Sequence, residues 1–249
     1  MNTTIISVLL LSFLLSLGFW RKQAFYFTIV LLILYILMIG APASAVRAGI
    51  MAGLFLFCQH LGRMNVSSRA VVFAAVLMLF FNPLILELDV GFQLSFLAIL
   101  GMIYLQPVFS ELLRKVPNFR FFPLKTTLEA TFSAQVFTLP ILIYNFGYMP
   151  LVSPITNVLI VPFLAPITIL IFIFGLAAMA SHILGVLLSF PVWICLTYIT
   201  KIIDIFSRFP FASLRLENVH WIILLVSYSV LAVIVWRTQE NQKLKFLKY

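Results

Sequence analysis

The chain has 249 residues, 63% of them hydrophobic and 9% charged, with a mean hydropathy of +1.16. Soluble globular domains carry about 25% charged residues, so these totals exclude a soluble domain and point to an integral membrane protein. The formal charge is +9; in a membrane protein Lys and Arg gather in cytoplasmic loops and set topology, so the charge alone does not argue for a nucleic-acid partner.

A spanning helix needs about 20 apolar residues. The apolar runs predict an all-α, polytopic transmembrane bundle of about nine spans, at 4–20, 24–41, 48–62, 70–86, 93–110, 128–146, 151–178, 183–206 and 220–236. The first run follows an uncharged MNTT and is closed by Arg21 and Lys22. These are the flanks of an anchor whose N-terminus lies outside, not of a cleaved signal peptide. If the loops alternate, twelve of the 16 basic residues fall inside, and Arg47, Lys201, Arg208 and Arg215 fall outside. That bias predicts an outside N-terminus and a cytoplasmic C-terminus.

Taken in order, the first polar feature is Arg47 in PASAVRAG, an arginine among small residues just before a span. Its planar fork suits a phosphate if it faces a pore; an exposed cation is the plainer reading. Cys58 and Cys195 lie far apart in apolar runs, so neither a disulfide nor a zinc site follows. The stretch Asn82–Pro107 then places Glu87, Asp89, Gly91, Gln93 and Ser95 between two long apolar runs. Asp89 and Gln93 share a face if the helix starts a turn early. They read either as an acidic vestibule or as a helix start, with Asp89 as cap and Gly91 as turn residue. GFQLS is not the G-x-S-x-G of a serine hydrolase, and there is no HExxH. No catalytic residue, metal site or cofactor is expected.

The segment 111–127 mixes basic and aromatic residues with Pro117 and Pro123, as an interfacial amphipathic segment or an ordinary loop would. In 128–146, Thr131, Gln135, Thr138 and Asn145 continue a stripe that starts at Thr127. Such a stripe faces other helices or a wet path. Pro140 should kink this helix and free a carbonyl. The next stretch, GYMPLVSPITNVLIVPFLAP, carries Pro150, Pro154, Pro162 and Pro166. It predicts at least one broken or re-entrant helix, with Asn157 placed to bridge the break. Lys201, Asp204 and Arg208 read as an ion-paired helix end. Residues 237–249 read as a short, basic, poorly ordered cytoplasmic tail beyond a membrane domain of residues 1–236.

Four blocks, GAPASAVRAGIM (40–51), NPLILELDVGFQLSFLAILG (82–101), AQVFTLPILIYNFG (134–147) and SPITNVLIVPFLAP (153–166), together resemble the membrane channel domain of ComEC-type competence proteins. The resemblance spans roughly residues 40–178. It implies a plasma-membrane channel that conducts single-stranded DNA inward during natural transformation, and not an enzyme. It assigns a nucleic-acid path to Arg47, Asp89, Gly91, Gln93, Ser95, Gln135, Pro140, Asn157 and Pro162; the polar stripe adds Thr131 and Thr138 to the candidate path, and the proline-rich stretch adds Pro154 to the residues that would shape it. Family members also carry an OB-like domain, a Ser-Gly-Leu-His block and often a metallo-β-lactamase-like nuclease domain. The sequence has no HxHxDH cluster, so a reduced, split or truncated member is expected, with the OB-like and nuclease parts as separate partners and self-association left open. The alternative on the same scaffold is a transporter for a small solute or lipid. On the channel reading, Arg47→Ala is expected to lower DNA uptake without lowering abundance.

Overall fold

The computed structural model describes residues 2–16, 18–60, 67–117, 123–209, 212–216 and 220–246. They form ten helices and one two-stranded ribbon: α1 (Asn2–Ser16), α2 (Arg21–Met38), α3 (Ala43–His60), α4 (Ser67–Phe81), α5 (Ile85–Leu88), α6 (Val90–Leu112), α7 (Leu124–Phe146), β1 (Tyr148–Pro150), α8 (Ser153–Ala180), α9 (His182–Ser207), β2 (Ser213–Arg215) and α10 (Trp221–Phe246). Each of the nine expected runs carries a helix, and α5 is an added single turn. The protein is thus an all-helical membrane protein. Among the described residues, five helices are long and apolar enough to cross a membrane: α6, α7, α8, α9 and the Trp221–Glu240 part of α10. Lys22–Met38 and Val71–Phe81 are apolar but shorter. A helix of 15 residues, such as α1 or α4, is about 22 Å long at 1.5 Å per residue. That falls short of the roughly 30 Å hydrocarbon layer.

The chain divides into two compact units, Met1–Phe96 and Leu97–Tyr249, with the boundary inside α6. In the first unit α1 packs on α2 and α3, and α3 on α4. The turn from α2 to α3 follows from Gly40-Ala41-Pro42. Gly40 adopts φ +83°, its N–H donates to Leu37 O (3.1 Å), and the Ala41 N–H reaches back to Ile36 O (2.9 Å). This is a Schellman closure that a glycine at the left-handed position makes cheap, with a proline to stop the helix. Leu32, Ala45, Ala52, Met78 and Phe92 are buried in this unit, whereas Trp20, Met38 and Phe80 are at least four-fifths exposed. Large apolar side chains on the outside of such a bundle face lipid.

In the second unit α7 packs on α8, α10 and β1, and α8 pairs with α9 along a long hairpin. The stretch expected to hold a broken helix is instead one continuous helix, α8, with Pro162 and Pro166 inside it. Two features let it run on. Pro154 lies in the first turn, where its missing N–H would have had no partner anyway. Pro162 removes the donor for the carbonyl four residues back, and the Tyr198 hydroxyl of α9 donates to the adjacent Leu159 O (3.2 Å). The tail expected to be poorly ordered is also helical, since α10 continues to Phe246. Residues 237–246 read RTQENQKLKF, and Arg, Gln, Glu, Lys and Leu are good helix formers. Between α6 and α7, residues 113–117 form turns, and the rest of the expected interfacial segment, 118–122, lies outside the described residues, as do Arg63 and Lys248.

Candidate functional site

In the first unit, two of the polar blocks meet. Arg47 lies on the second turn of α3 and is 6% exposed. Its Nη1 donates to Asp89 Oδ2 at 2.8 Å across 42 residues of sequence. The other carboxylate oxygen, Asp89 Oδ1, accepts the Phe92 N–H (3.0 Å), and Asp89 O accepts the Gln93 N–H (3.2 Å). Asp89 is therefore the N-cap of α6 as well as the counter-ion of Arg47. Gln93 turns back and donates through Nε2 to Leu86 O (2.7 Å), closing an orphan carbonyl at the end of α5. Ser95 donates to Phe92 O (3.0 Å), so its hydroxyl is taken up by its own helix. Gly91 has a steric reason: a Cβ there would lie 2.9 Å from Arg47 Nη2 and 3.0 Å from Asp89 Oδ1. Of this cluster, Arg47 Nε is buried without a hydrogen-bond partner among the described residues.

In the second unit the stripe on α7 divides by what its side chains do. Thr127, Thr138 and Asn145 bond back to carbonyls three or four residues earlier. Thr131 has no partner among the described residues and is half-buried. Gln135 reaches out of the helix: its Nε2 donates to Pro150 O at 2.9 Å, while its Oε1 is buried and unpartnered among the described residues. That bond fixes where the chain goes after α7. Gln135 stands 11 residues before the end of α7, about 16 Å back along the axis, yet Pro150 comes only four residues after that end. The chain thus folds back beside α7 as β1. Strand β1 pairs antiparallel with β2, Tyr148 opposite Arg215 and Pro150 opposite Ser213. The ribbon is extended by the Leu216 N–H donating to Gly147 O (2.8 Å) and the Leu151 N–H to Ala212 O (3.2 Å). In place of the broken or re-entrant helix expected of the proline-rich stretch, the described residues show a short extended ribbon followed by a continuous α8. Asn157, half-buried on the second turn of α8, makes no hydrogen bond among the described residues.

Pro140 leaves Val136 O without its amide donor, as expected, and a hydroxyl of α10 meets the next carbonyl along. The Tyr228 hydroxyl donates to Phe137 O at 3.1 Å. Tyr198 does the same for Pro162, and in both cases the acceptor lies three residues before the proline. On α9, Arg208 pairs with Asp204 through two bonds (Nε–Oδ1 3.2 Å, Nη2–Oδ2 2.8 Å), two of the three members of the helix end read from the spacing; Lys201 does not join them.

Sequence reasoning passed over two further residues of α7, Glu129 (4% exposed) and Ser133 (fully buried). The signal was there in part: Glu129 is one of seven carboxylates in the chain and stands four residues after Lys125. Two apolar cavities lie apart from Glu129 and Ser133. One, of 350 Å³, lies between α2 and α3, lined by Leu32, Ile36, Gly49 and Gly53 among others. The other, of 570 Å³, is an open groove along α10 bounded by Tyr144, Trp221, Leu225 and Tyr228.

A family model described as competence protein matches residues 1–241. The chain belongs to the competence protein family. ComE operon protein 3 of Bacillus subtilis (strain 168) is 31% identical to it over 153 residues, which is 60% of this chain and 18% of that relative. The matched stretch thus spans less than a fifth of the relative's length. No solved structure matches the chain. The competence-family match takes in both compact units, so it covers the Arg47–Asp89 cluster and the α7–β1–β2 region alike.

Proposed function

We propose that this competence-family chain is a membrane channel part for uptake of single-stranded DNA in natural transformation. The observation that carries the reading is the extended ribbon held about three turns down α7 by Gln135. Non-helical backbone among spanning helices is tolerated only inside protein or beside a wet cavity. Around it stand polar groups with bonding capacity left over, Gln135 Oε1, Thr131 and Asn157. Arg215 is exposed on β2 and supplies a cation for phosphate; Tyr144, Phe146 and Tyr148 are exposed near the turn and offer faces for base stacking. Arg47, Asp89, Gln93 and Ser95 serve the path by shaping the start of α6, Arg47 Nε being a buried donor left without a partner among the described residues. The reading has the C-terminus in the cytoplasm, following the basic bias, no catalytic step, and separate OB-like and nuclease proteins as partners.

The test is a clean deletion complemented by this chain, followed by DNA binding at the cell surface and DNA arrival in the cytosol. Gln135→Leu is expected to block arrival while leaving surface binding and chain abundance intact. Wild-type arrival in that variant would remove the ribbon from the path. The apolar groove along α10 favours a second reading, transport of a lipid or small solute; a deletion that spares transformation and alters lipid composition would decide for it.

A further inference from the structure

Between α2 and α3 the first unit leaves a space that its own side chains do not fill. The cavity holds 350 Å³, and the described residues that line it are Ile, Leu, Val, Ala and Gly, with no charged or hydroxyl-bearing side chain among them. Two glycines of α3 shape it. Gly49 is where the helices touch, since a Cβ there would collide with Ile36 Cδ1 of α2. Gly53, one turn further on, has open space: an added Cβ would meet nothing within 4 Å among the described residues. A G-x-x-x-G pair ordinarily lets a second helix lie close along both glycines. Here α2 covers the first and leaves the second open.

The dimensions decide what fits. On α2 the lining runs from Ile29 to Leu37, about 12 Å at 1.5 Å per residue. Spread over that length, the volume gives a cross-section of roughly 30 Å². A helix about 10–12 Å across needs roughly three times that area, so a helix from a second copy does not enter, whereas a single hydrocarbon chain does. Water is no substitute, because apolar cavities stay dry and take up apolar ligands. The position agrees with the size. One end of the cavity is Ala41, in the turn where the chain leaves α2, and the other is Ile29, midway along α2. That depth is close to half of the roughly 30 Å hydrocarbon layer, the share of one leaflet. The cavity is also continuous with the lipid-facing surface, for Ile33 and Leu37 in its wall are 53% and 63% exposed. A free fatty acid would find no cation in this lining for its carboxylate; a phospholipid keeps its headgroup at the interface and needs none.

We propose that the α2–α3 cavity seats one acyl chain of a membrane phospholipid as a resident ligand of the first unit, entering beside Ala41 and ending at Gly53. The chain supplies the dispersion contacts that an empty void forfeits. The site takes its lipid whatever cargo the protein carries, so it does not depend on the DNA reading.

The experiment uses the full chain in nanodiscs of phosphatidylethanolamine and phosphatidylglycerol. A trace of phosphatidylcholine carries a diazirine either near the ester or near the end of one acyl chain, and peptide mass spectrometry locates the photoadducts. The ester-side probe is expected on Leu37 and Ala41, and the terminal probe on Ile29, Ile50 and Gly53. Leu34, exposed on α2, reports bulk lipid. Gly53→Leu fills the deep end and should lower the terminal-probe adducts on Ile29 and Ile50 several-fold with Leu34 unchanged; Gly53→Ala should lower them less. Excess free oleate should not compete. Lining residues that stay unlabelled while Leu34 is labelled, a reversed order of the two probes, or adducts indifferent to Gly53→Leu would each overturn the proposal. Displacement by oleate would overturn it in favour of a free fatty acid, and disulfide-linked dimers of Gly53→Cys in favour of a second copy. The order of the two probes is read on the wild-type chain, so a Gly53→Leu chain that fails to fold leaves the test standing.

Discussion

The Arg47–Asp89 pair makes an asymmetric prediction. Arg47 is 6% exposed, whereas the Asp89 side chain is 31% exposed and is also held by the Phe92 N–H. Asp89→Asn keeps an oxygen for the cap but strands a buried guanidinium, which costs about 3–5 kcal/mol when a buried pair loses one partner. Arg47→Met keeps the apolar stem and leaves a carboxylate that still reaches solvent and still caps α6, at about 1–3 kcal/mol. The double variant should recover part of the loss, with a coupling of about 1–3 kcal/mol. Asp89→Ala should cost about 1 kcal/mol more than Asp89→Asn, the worth of the cap. Unfolding by detergent titration in mixed micelles, followed by tryptophan fluorescence, measures all four. If Asp89→Asn is no more harmful than Arg47→Met, or if the two add independently, the pair is not the buried bond described above. The same geometry revises the expectation drawn from the sequence: Arg47→Ala should lower abundance, and any fall in uptake has to be judged against that.

Gln135→Leu should leave the helices intact but release Pro150, so that limited proteolysis near residues 147–152 quickens while the melting temperature moves little. A Cβ at Gly101 of α6 would collide with Ser133 O of α7, so Gly101→Ala should push the two helices apart and cost about 1–3 kcal/mol, read by the same detergent titration; a neutral result would mean that they meet less tightly than that contact implies. Tyr228→Phe should cost about 0.5–1.5 kcal/mol, read by the same titration; no loss would mean that the hydroxyl's bond to Phe137 O does not hold α10 to α7.

The helices were legible because apolar run length carries them directly, and the cap at Asp89 was legible as one of two readings. What failed did so for tertiary reasons. The prolines of 151–178 predicted a break, but Tyr198, on another helix, meets the carbonyl beside the one that Pro162 leaves open. The ribbon was hidden because Tyr148–Pro150 and Ser213–Arg215 are three-residue strands, too short for any alternation to register. Arg47 gave no local hint of its partner, which lies 42 positions away. Glu129 was overlooked beside a more regular threonine stripe on the opposite side of α7.

In a chain this apolar, a polar side chain cannot be assigned to a path by its presence alone, because the bilayer offers no water to satisfy it elsewhere. What sorts these residues is bonding capacity left after the protein has used its share. Ser95, Thr127, Thr138 and Asn145 spend theirs on carbonyls of their own helices, and Gln93 spends its on the end of α5. Gln135 Oε1, Arg47 Nε, Ser133 Oγ and Glu129 Oε1 do not. Gln135 is the decisive member, since one end of its amide fixes the one strand pair among the described residues and the other end is open. On the channel reading proposed above, a group that both anchors a non-helical element and keeps an acceptor in reserve has a structural reason to be there and a chemical reason to meet the cargo.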